Sequence, residues 1–334
     1  MDMPNQRILI TGCAGYVGSA LLPHMLNNGY HVRGVDSLLY GNYGMSNILS
    51  QFEFIEGDLR DEAVRRTVVR GIDTIVHLAA VSTDPAGKSL ARFTIETNME
   101  MTESLGKEAK KAGVRKFVYA STGSVYHAVP PLENLMTEDI PLNPQSAYSL
   151  SKYVSEEKLL DLADDNFTVI IFRKATLYGQ SPRMRYDIEA NIYTRDAMKK
   201  NTFTIFDKVI RRPFADIQDA CAMYVKAVEA PHNPSLTGRY NVVTDNYIMS
   251  DLAREIAQIT GERLGKNIEI KKTTPASYRA YWMDNTKSKQ IFSYAPVRTF
   301  KEAILEMMGG INICDNPYDE KYDNYAYLVR RGIV

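Results

Sequence analysis

A glycine-rich turn near the start of the chain constrains its fold more than any other feature. The apolar run Arg7–Thr11 leads directly into the sequence GCAGYVG, and the amphipathic segment Val17–Asn28 follows. Gly12 permits a tight strand-to-helix turn, Gly15 lets the backbone approach a pyrophosphate, and Gly18 lets the helix pack closely on the strand. A helix that begins there presents free N–H groups and a partial positive charge to phosphates. This context predicts a dinucleotide-binding unit.

Short apolar runs alternate with longer amphipathic segments through the first half of the chain. Several of the short runs are nearly all apolar, as strands buried on both faces of a sheet must be. The alternation predicts an α/β fold, a Rossmann-type doubly wound parallel sheet with right-handed crossovers. The predicted strands are Arg7–Thr11, His31–Asp36, Phe52–Glu56, Thr74–His77, Lys116–Ala120 and Phe167–Phe172, and the predicted helices are Val17–Asn28, Glu62–Arg70, Arg92–Lys111 and Ala147–Ala163.

The alternation ends beyond about residue 177, where a loop rich in Pro, Arg and Tyr begins. Helices are predicted there over Ile217–Glu229, Ser250–Thr260 and Phe300–Met308. We therefore predict a dinucleotide-binding domain with the catalytic residues over 1–176, and a smaller C-terminal substrate lobe over 177–334. Some segments of the second part are expected to return to the first domain. The tyrosine-rich stretch 316–327 is expected to form a surface strap or a partner contact.

Composition and charge exclude several classes of protein. The 334 residues are 45% hydrophobic and 24% charged, which is typical of a globular chain. Forty Lys+Arg balance forty Asp+Glu, so the basic excess of a general nucleic-acid binder is missing. The three distant cysteines fit no disulfide framework, and the five histidines show no metal-ligand spacing. No secretory signal or membrane span is expected, and we predict a cytoplasmic protein without a metal site.

Acidic residues end the second and third predicted strands. Asp36 stands where a carboxylate can accept hydrogen bonds from the ribose hydroxyls of an adenine dinucleotide. No Arg or Lys follows at Ser37 and the next positions to receive a 2′-phosphate, so NAD is favoured over NADP. The alternative is that Asp36 caps the following loop. Asp58 fits an adenine contact and a helix cap equally well.

Tyr148 and Lys152 lie one turn apart at the start of a predicted helix. Residues at this spacing share a helix face. A phenol has a pKa of about 10, and a nearby ammonium favours its phenolate form. The pair can therefore act as a general base on a substrate hydroxyl while a nicotinamide takes the hydride. By itself a YxxxK pattern is weak evidence, because both residue types are common on helix faces.

The fifth predicted strand ends in a cluster of hydroxyl groups. A hydroxyl at the carboxyl end of a sheet strand can reach a ligand in the crevice. Composition does not choose among the candidates, because such groups often bond to the backbone of their own loop. The candidates are Ser121, Thr122, Ser124 and Tyr126.

Taken together and in order, these motifs resemble the extended short-chain dehydrogenase/reductase family. Within it, the chain looks like the NAD-dependent nucleotide-sugar epimerase/dehydratase branch, and the resemblance covers nearly the whole chain. The supporting residues are TGCAGYVG, Asp36, Gly57-Asp58-Leu59, His77-Leu78-Ala79-Ala80, Asn98, the AST-GSVY strand end and YSLSK.

The resemblance implies roles for individual residues. Thr122 would be the catalytic hydroxyl, Tyr148 the base and Lys152 its helper. Asn98 would be a structural and cofactor-side residue. The residues implied to hold NAD are Gly12, Gly15, Tyr16, Val17, Gly18, Asp36, Ser37, Asp58, Leu59, Leu78, Ala79, Ala80, Asn98, Tyr148 and Lys152.

The second half resembles the substrate side of the same branch. The FRKATLYG stretch looks like the strand that enters the sugar-nucleotide site, although many members have Asn where Thr176 stands. The SPRMR stretch, with Arg185, resembles a subgroup of surface-polysaccharide pathways that includes C4 epimerases and C4 dehydrogenases. Arg212 would bind the substrate diphosphate, with Arg279 as a second candidate ligand. Thr122 would also contact the substrate.

The local charge agrees with an anionic ligand. From Arg183 to Arg212 there are eight basic residues and four acidic ones. Arginine suits a diphosphate better than lysine does, because its planar guanidinium can donate two parallel hydrogen bonds. A solvated basic face is the alternative, and it is the one we expect for Lys107, Lys110, Lys111 and Lys116.

Four functions fit these residues. We favour a nucleotide-sugar C4 epimerase that acts through a 4-keto intermediate. The resemblance also implies a homodimer that pairs helices 92–111 and 147–163 across a two-fold axis, and two-fold dimers are the commonest oligomers. A C4 dehydrogenase needs the same three residues, Thr122, Tyr148 and Lys152, so the sequence does not distinguish it from an epimerase. A 4,6-dehydratase is less favoured, because Asp and Glu follow the catalytic Thr in such family members, whereas Gly123 and Ser124 stand here. A non-catalytic dinucleotide sensor is least favoured, since the triad is intact.

Overall fold

A computed structural model of the protein describes residues 6–82, 90–126, 135–274 and 280–333. Its centre is a seven-stranded sheet in which every pairing is parallel. The strands are β1 Arg7–Thr11, β2 His31–Asp36, β3 Glu53–Glu56, β4 Thr74–His77, β5 Lys116–Thr122, β6 Leu135–Met136, β7 Thr168–Lys174, β8 Thr176–Tyr178, β9 Thr202–Phe206, β10 Arg211–Asp216, β11 Gly238–Val242, β12 Asp245–Ile248, β13 Glu269–Thr273 and β14 Trp282–Met283. The order across the central sheet is β3-β2-β1-β4-β5-β7-β11.

Helices cover both faces of this sheet. They are α1 Tyr16–Asn27, α2 Glu62–Val68, α3 Ala91–Ile95, α4 Met101–Lys111, α5 Ala147–Leu160, α6 Glu189–Lys200, α7 Ile217–Glu229, α8 Met249–Leu264, α9 Thr286–Phe292, α10 Phe300–Ile313 and α11 Asn324–Arg330. None of the described helices is long and apolar enough to cross a membrane. The predicted α/β class and doubly wound parallel sheet are confirmed.

The central strands divide their side chains between two apolar clusters. Ile8 and Ile10 of β1 belong to one cluster, and Leu9 between them belongs to the other. Successive strand residues point to opposite faces, so a strand covered by helices on both sides must be apolar throughout. The two clusters therefore lie on opposite faces of β1.

The strand order reverses between β1 and β4, because the chain fills one side of the sheet first and then the other. Ligands of open α/β sheets bind outside the carboxyl ends of the strands at such a switch point. The glycine turn follows β1 there, and β5 ends two strands away at Thr122. The fold therefore places the sequence motifs at one edge.

The predicted helix 92–111 is not continuous. A π-helical turn, Glu96–Glu100, separates α3 from α4. Asn98 lies in this turn and is fully buried. Turns of this kind are rare and often mark functional regions. A π-helical turn contains one more residue than an α-helical turn. The spacing of hydrophobic residues does not reveal this residue, so the sequence predicted one straight helix.

Lys116 corrects the prediction of a solvated basic face. It is buried, and its Nζ donates to the carbonyl oxygens of Ala227 at 2.9 Å and Val228 at 2.8 Å. These carbonyls close the C-terminal end of α7, where a positive charge is favourable. Burial lowers the pKa of Lys116 to about 8.

Most strands from Thr176 onward build smaller sheets, with the orders β12-β10-β8, β13-β9 and β14-β6, and β6 of the first half joins the last of them. One segment, β11, returns to the central sheet and pairs with β7. The boundary at residue 176 stays a prediction. The tyrosine-rich end is packed rather than loose: Leu328 of α11 is fully buried in a cluster with Val81.

A buried ion pair joins the helix α5 to three strands. The Glu156 carboxylate accepts from Arg173 of β7, with Nη2 at 2.7 Å, and from Arg239 of β11, with Nε at 3.0 Å. Ser121 of β5 donates to the same carboxylate. Glu156 and Arg173 are both almost completely excluded from solvent. One carboxylate therefore connects α5 to three strands of the central sheet.

Replacing this carboxylate tests that connection. Glu156→Gln should lower the free energy of unfolding by about 3–5 kcal/mol, because it leaves the Arg173 charge buried and unpaired. The matched control is Glu157→Gln on the same helix, where the carboxylate is half exposed and pairs with Arg239. The control should cost no more than about 1 kcal/mol. Urea unfolding measures both, and equal losses would contradict the assignment.

Candidate active site

A cavity of about 670 Å³ opens along the carboxyl ends of the central strands. Residues at or after the ends of β1, β2, β3, β4 and β5 line it, together with residues of α5 and of the second half of the chain. The predicted residues that line it are Gly12, Gly15, Tyr16, Val17, Gly18, Asp36, Ser37, Asp58, Leu59, Leu78, Ala79, Ala80, Thr122, Tyr148, Lys152, Thr176, Arg185 and Arg212. The structure therefore brings the separate motifs to one place.

The glycine turn has the geometry of a phosphate cradle. Gly12 has a φ of +68°, and a Cβ there would lie 2.6 Å from the backbone nitrogen of Ala79. A Cβ at Gly18 would lie 2.2 Å from the Gly12 carbonyl oxygen. Gly15 is the N-cap of α1 and provides no side-chain cap, so the first N–H groups of the helix remain for a ligand. The turn fits the diphosphate of a dinucleotide.

Asp36 holds its loop and lines the cavity at the same time. Its Oδ2 accepts from the Ala14 N–H at 2.9 Å, and its Oδ1 accepts from the Leu38 N–H at 2.8 Å. A carboxylate has about four acceptor sites, so capacity remains for ribose hydroxyls. Burial raises the pKa of Asp36. The loop-cap alternative and the ribose role are therefore compatible.

Asp58 lines the cavity and is not a helix cap. It accepts from the Arg60 N–H at 2.8 Å and pairs with the Arg60 guanidinium at 2.6 Å. The N-cap of α2 is Asp61, whose side chain accepts from the Ala63 N–H at 2.8 Å. The cap alternative for Asp58 is wrong, and the adenine contact stays a prediction.

The helix α5 brings Tyr148 and Lys152 to the cavity. Ser146 begins the helix with a capping box, which places Tyr148 in the first turn. The Lys152 Nζ donates to the Ala120 carbonyl oxygen at 2.9 Å and lies 4.8 Å from the centre of the Tyr119 ring. Lys152 is almost fully buried, so its ammonium has a fixed position.

A second lysine lines the cavity near Lys152. The Lys174 Nζ donates to the Tyr224 hydroxyl at 3.2 Å, and burial lowers the pKa of Lys174 to about 7. Burial also lowers the pKa of Lys152, and the charge of Lys174 lowers it further, whereas Glu156 raises it. Two amino groups therefore lie in this part of the cavity, and Tyr148 lines the same cavity.

The structure separates the four hydroxyl candidates of β5. Ser121 donates to Glu156, and Tyr126 donates to the Asn241 Oδ1 at 2.7 Å. Thr122 lines the cavity, and its Oγ1 accepts from the Ser124 N–H at 3.1 Å. Thr122 and Ser124 are thus the hydroxyls of this group whose side chains are not bound to another buried side chain in the described structure.

Asn98 lies behind the cavity wall rather than in it. Its Oδ1 accepts from the Val81 N–H at 2.8 Å, and its Nδ2 donates to the Val81 carbonyl at 3.0 Å and to the Ser151 hydroxyl at 3.2 Å. These bonds join the segment after β4 to the helix α5. Its position is that of a residue that supports the site, and a direct cofactor contact has no support here.

Two of the predicted substrate residues have carboxylate partners. Arg212 pairs with Glu189, with Nη2 and Oε1 3.3 Å apart. Arg185 forms a two-pronged pair with Asp187, at 2.9 Å and 2.7 Å. Arg279 lies outside the described residues.

Sequence reasoning missed several residues of the cavity wall. Tyr40, Lys174, Glu189 and Asn324 all line it. No motif marks Tyr40, Glu189 or Asn324, and the last two reach the site only when distant segments fold against the glycine turn. The FRKATLYG stretch contains Lys174, and the charge of that residue was the one signal available.

The family model described as "NAD dependent epimerase/dehydratase family" matches residues 8–242. This chain belongs to that family. A UDP-glucose 4-epimerase of Mycolicibacterium smegmatis is 28% identical over 313 residues, which cover 90% of this chain and 96% of the relative. A dTDP-glucose 4,6-dehydratase of Streptomyces griseus is 28% identical over 304 residues, which cover 86% and 89%.

Solved structures agree with the assignment. The UDP-glucuronic acid 4-epimerase from Bacillus cereus, in complex with UDP-glucuronic acid and NAD, superposes with a TM-score of 0.79 at 25% identity, over 92% of this chain and 99% of that one. DesIV, a dTDP-glucose 4,6-dehydratase from Streptomyces venezuelae with NAD bound, gives 0.78 at 23% identity, over 98% of both chains. The protein is an NAD-dependent enzyme, as the sequence predicted. Within the described residues, no cluster of three or more His, Cys, Asp or Glu side chains could hold a metal ion.

Proposed function

We propose that this enzyme is a nucleotide-sugar C4 epimerase. Its relatives include proteins named UDP-glucose 4-epimerase. A UDP-glucuronic acid 4-epimerase from B. cereus, whose structure was solved in complex with UDP-glucuronic acid and NAD, has the same fold. Thr122, Tyr148 and Lys152 line one cavity with the glycine turn and Asp36, which supports catalysis next to a bound dinucleotide.

The surroundings of Gly123 carry the choice of an epimerase over a 4,6-dehydratase. A Cβ at Gly123 would lie 2.6 Å from the Met283 sulfur and 3.3 Å from the Lys174 carbonyl oxygen. The 4,6-dehydratases of this family have a carboxylic side chain at this position, which acts in the elimination of water. Gly123 supplies no such side chain, and a larger residue there would require the Met283 side chain to move.

The proposed mechanism assigns one task to each residue. Tyr148 as phenolate takes the proton of the C4 hydroxyl and later returns a proton to the same oxygen. Thr122 donates a hydrogen bond to that oxygen, and Lys152 stabilises the phenolate charge. A bound NAD would supply the hydride acceptor for oxidation at C4 and the hydride donor for the return step, and inversion requires that the 4-keto sugar rotates in the site between the two steps.

A substrate screen tests the function directly. The protein is incubated with UDP-, dTDP- and GDP-linked hexoses and with their uronic acids, and the C4 configuration of each product is determined by NMR. We expect inversion at C4 for at least one sugar without added cofactor. Release of a keto sugar together with an equal amount of reduced cofactor would instead establish a C4 dehydrogenase.

Tyr148→Phe tests the base. The change keeps the ring and removes the proton acceptor, so turnover should fall by ~100- to 10,000-fold. NAD affinity should change little, because the diphosphate contacts are untouched. Tyr153→Phe on the same helix lies outside the cavity lining and should retain wild-type turnover. Near-wild-type turnover of Tyr148→Phe would rule it out as the base.

Arg212 and Glu189 test the proposed substrate diphosphate site. Glu189 competes with a diphosphate for the Arg212 guanidinium. Arg212→Ala should raise the Kd of UDP by ~10- to 100-fold, the loss of a charge-assisted hydrogen bond. Glu189→Gln should lower that Kd, since it removes the competing charge. Titration calorimetry with UDP measures both, and an unchanged Kd for Arg212→Ala would move the diphosphate site elsewhere.

We also propose a homodimer built on α3, α4 and α5. Leu150 of α5 is 45% exposed, which suits an apolar contact across a two-fold axis. Light scattering at micromolar concentration should give twice the monomer mass, and a monomeric mass would refute the proposal. A cytoplasmic step in surface-polysaccharide synthesis is the setting we propose, tested by loss of the polysaccharide in a deletion strain.

A further inference from the structure

Arg183 is a buried cation with unsatisfied nitrogens at the wall of the cavity. It is 2% exposed and lines the cavity. Its Nε and Nη2 have no hydrogen-bond partner in the described part of the chain. Two contacts fix it: its backbone N–H donates to the Ser19 hydroxyl of α1 at 3.0 Å, and its guanidinium lies 5.1 Å from the centre of the Tyr40 ring. The side chain is therefore held between α1 and the loop after β2.

Arg185 shows what Arg183 lacks. Asp187 neutralises Arg185 through two hydrogen bonds, and Ser82 accepts a third at 3.3 Å. Arg183 forms no ion pair with any described residue. Burial and the nearby Arg185 lower the pKa of Arg183 to about 10. A buried cation without a counterion is costly, so this position is built for an anion that comes from elsewhere.

The position of Arg183 indicates which anion it would bind. The glycine turn provides N–H groups and the N-terminus of α1, but it contains no charged side chain. A diphosphate bound there needs a cation, and arginine is well suited to it. Arg212 is paired with Glu189 on α6, in the region assigned to the substrate. Ser19, Tyr40 and the electrostatic influence of Asp36 place Arg183 on the dinucleotide side instead.

We infer that Arg183 is the counterion of the cofactor's diphosphate, supplied to the glycine turn by the second half of the chain. The inference rests on NAD as the cofactor and deepens the proposed function.

The C-terminal segment braces this arginine. The Tyr40 ring under Arg183 packs against the Tyr327 ring of α11, with centroids 6.0 Å apart. The Asn324 N–H donates to the Asp187 Oδ2 at 3.1 Å, which also joins α11 to the partner of Arg185. The end of the chain thus supports both arginines, which accounts for its packed rather than loose conformation.

Binding measurements on purified protein freed of nucleotide test the inference. Arg183→Met should weaken NAD binding by ~10- to 100-fold in titration calorimetry, since it removes charge-assisted hydrogen bonds. Arg183→Lys, which keeps a charge but loses the fork, should fall between this variant and wild type. Both variants should bind UDP like wild type. Arg254→Met, an exposed site on α8, is the control for loss of a positive charge.

The stability of the NAD-free protein separates a ligand role from a structural one. Arg183→Met should leave the thermal midpoint of the NAD-free protein unchanged or raise it, because an unpaired buried charge is removed. The increase in midpoint that NAD causes should shrink. Wild-type NAD affinity in Arg183→Met, or a lower NAD-free midpoint with an undiminished NAD-induced increase, would overturn the inference. Weakened NAD binding in a protein that inverts no nucleotide sugar would uphold it and overturn the proposed function.

Discussion

Glu156 and Arg173 lie side by side in the interior, and the geometry of the site depends on their ion pair. The helix that carries Tyr148 and Lys152 is joined through Glu156 to β7, to β11 and, by way of Ser121, to β5. Buried ion pairs contribute little net stability, because desolvation offsets the attraction. What this pair fixes is position: the residue after Ser121 is the proposed catalytic threonine. Displacements of about 1 Å can cost ~100-fold in rate, so a rigid connection between these elements is functionally important.

Three basic side chains of the cavity wall form no ion pair with any described residue. Lys152, Lys174 and Arg183 all have lowered pKa values, and in each case burial is the main cause. Proteins usually pair such groups, but here the anions would arrive with the ligands: the cofactor diphosphate at Arg183 and a phenolate beside the lysines. The same deficit of negative charge can therefore favour dinucleotide binding and activate the proposed base. Binding and catalysis would share one electrostatic cause.

Local motifs made part of this structure predictable. The glycine turn, Asp36 and the Tyr148–Lys152 pair are each defined by short spacings next to a strand or helix end, and the switch point of the sheet brings them together. Other features depend on contacts between distant segments. The sequence around Lys116 is typical of a surface lysine, but the C-terminal end of α7 packs against its side chain and buries it. Glu189 pairs with Arg212 of β10, which is 23 residues away in the sequence. The π-helical turn contains Asn98, whose side chain forms tertiary hydrogen bonds. The spacing of hydrophobic residues in the sequence does not indicate these bonds.

We propose that one site removes a hydride from C4 and returns it to the same carbon. A nucleotide sugar deuterated at C4, taken from the class that the substrate screen identifies, tests this most directly. We expect mass spectrometry and NMR to show that the inverted product keeps the deuterium at C4 and that unlabelled substrate present in the same reaction acquires none. Deuterium that appears in free reduced cofactor, or a keto sugar that accumulates as the label leaves C4, would contradict it.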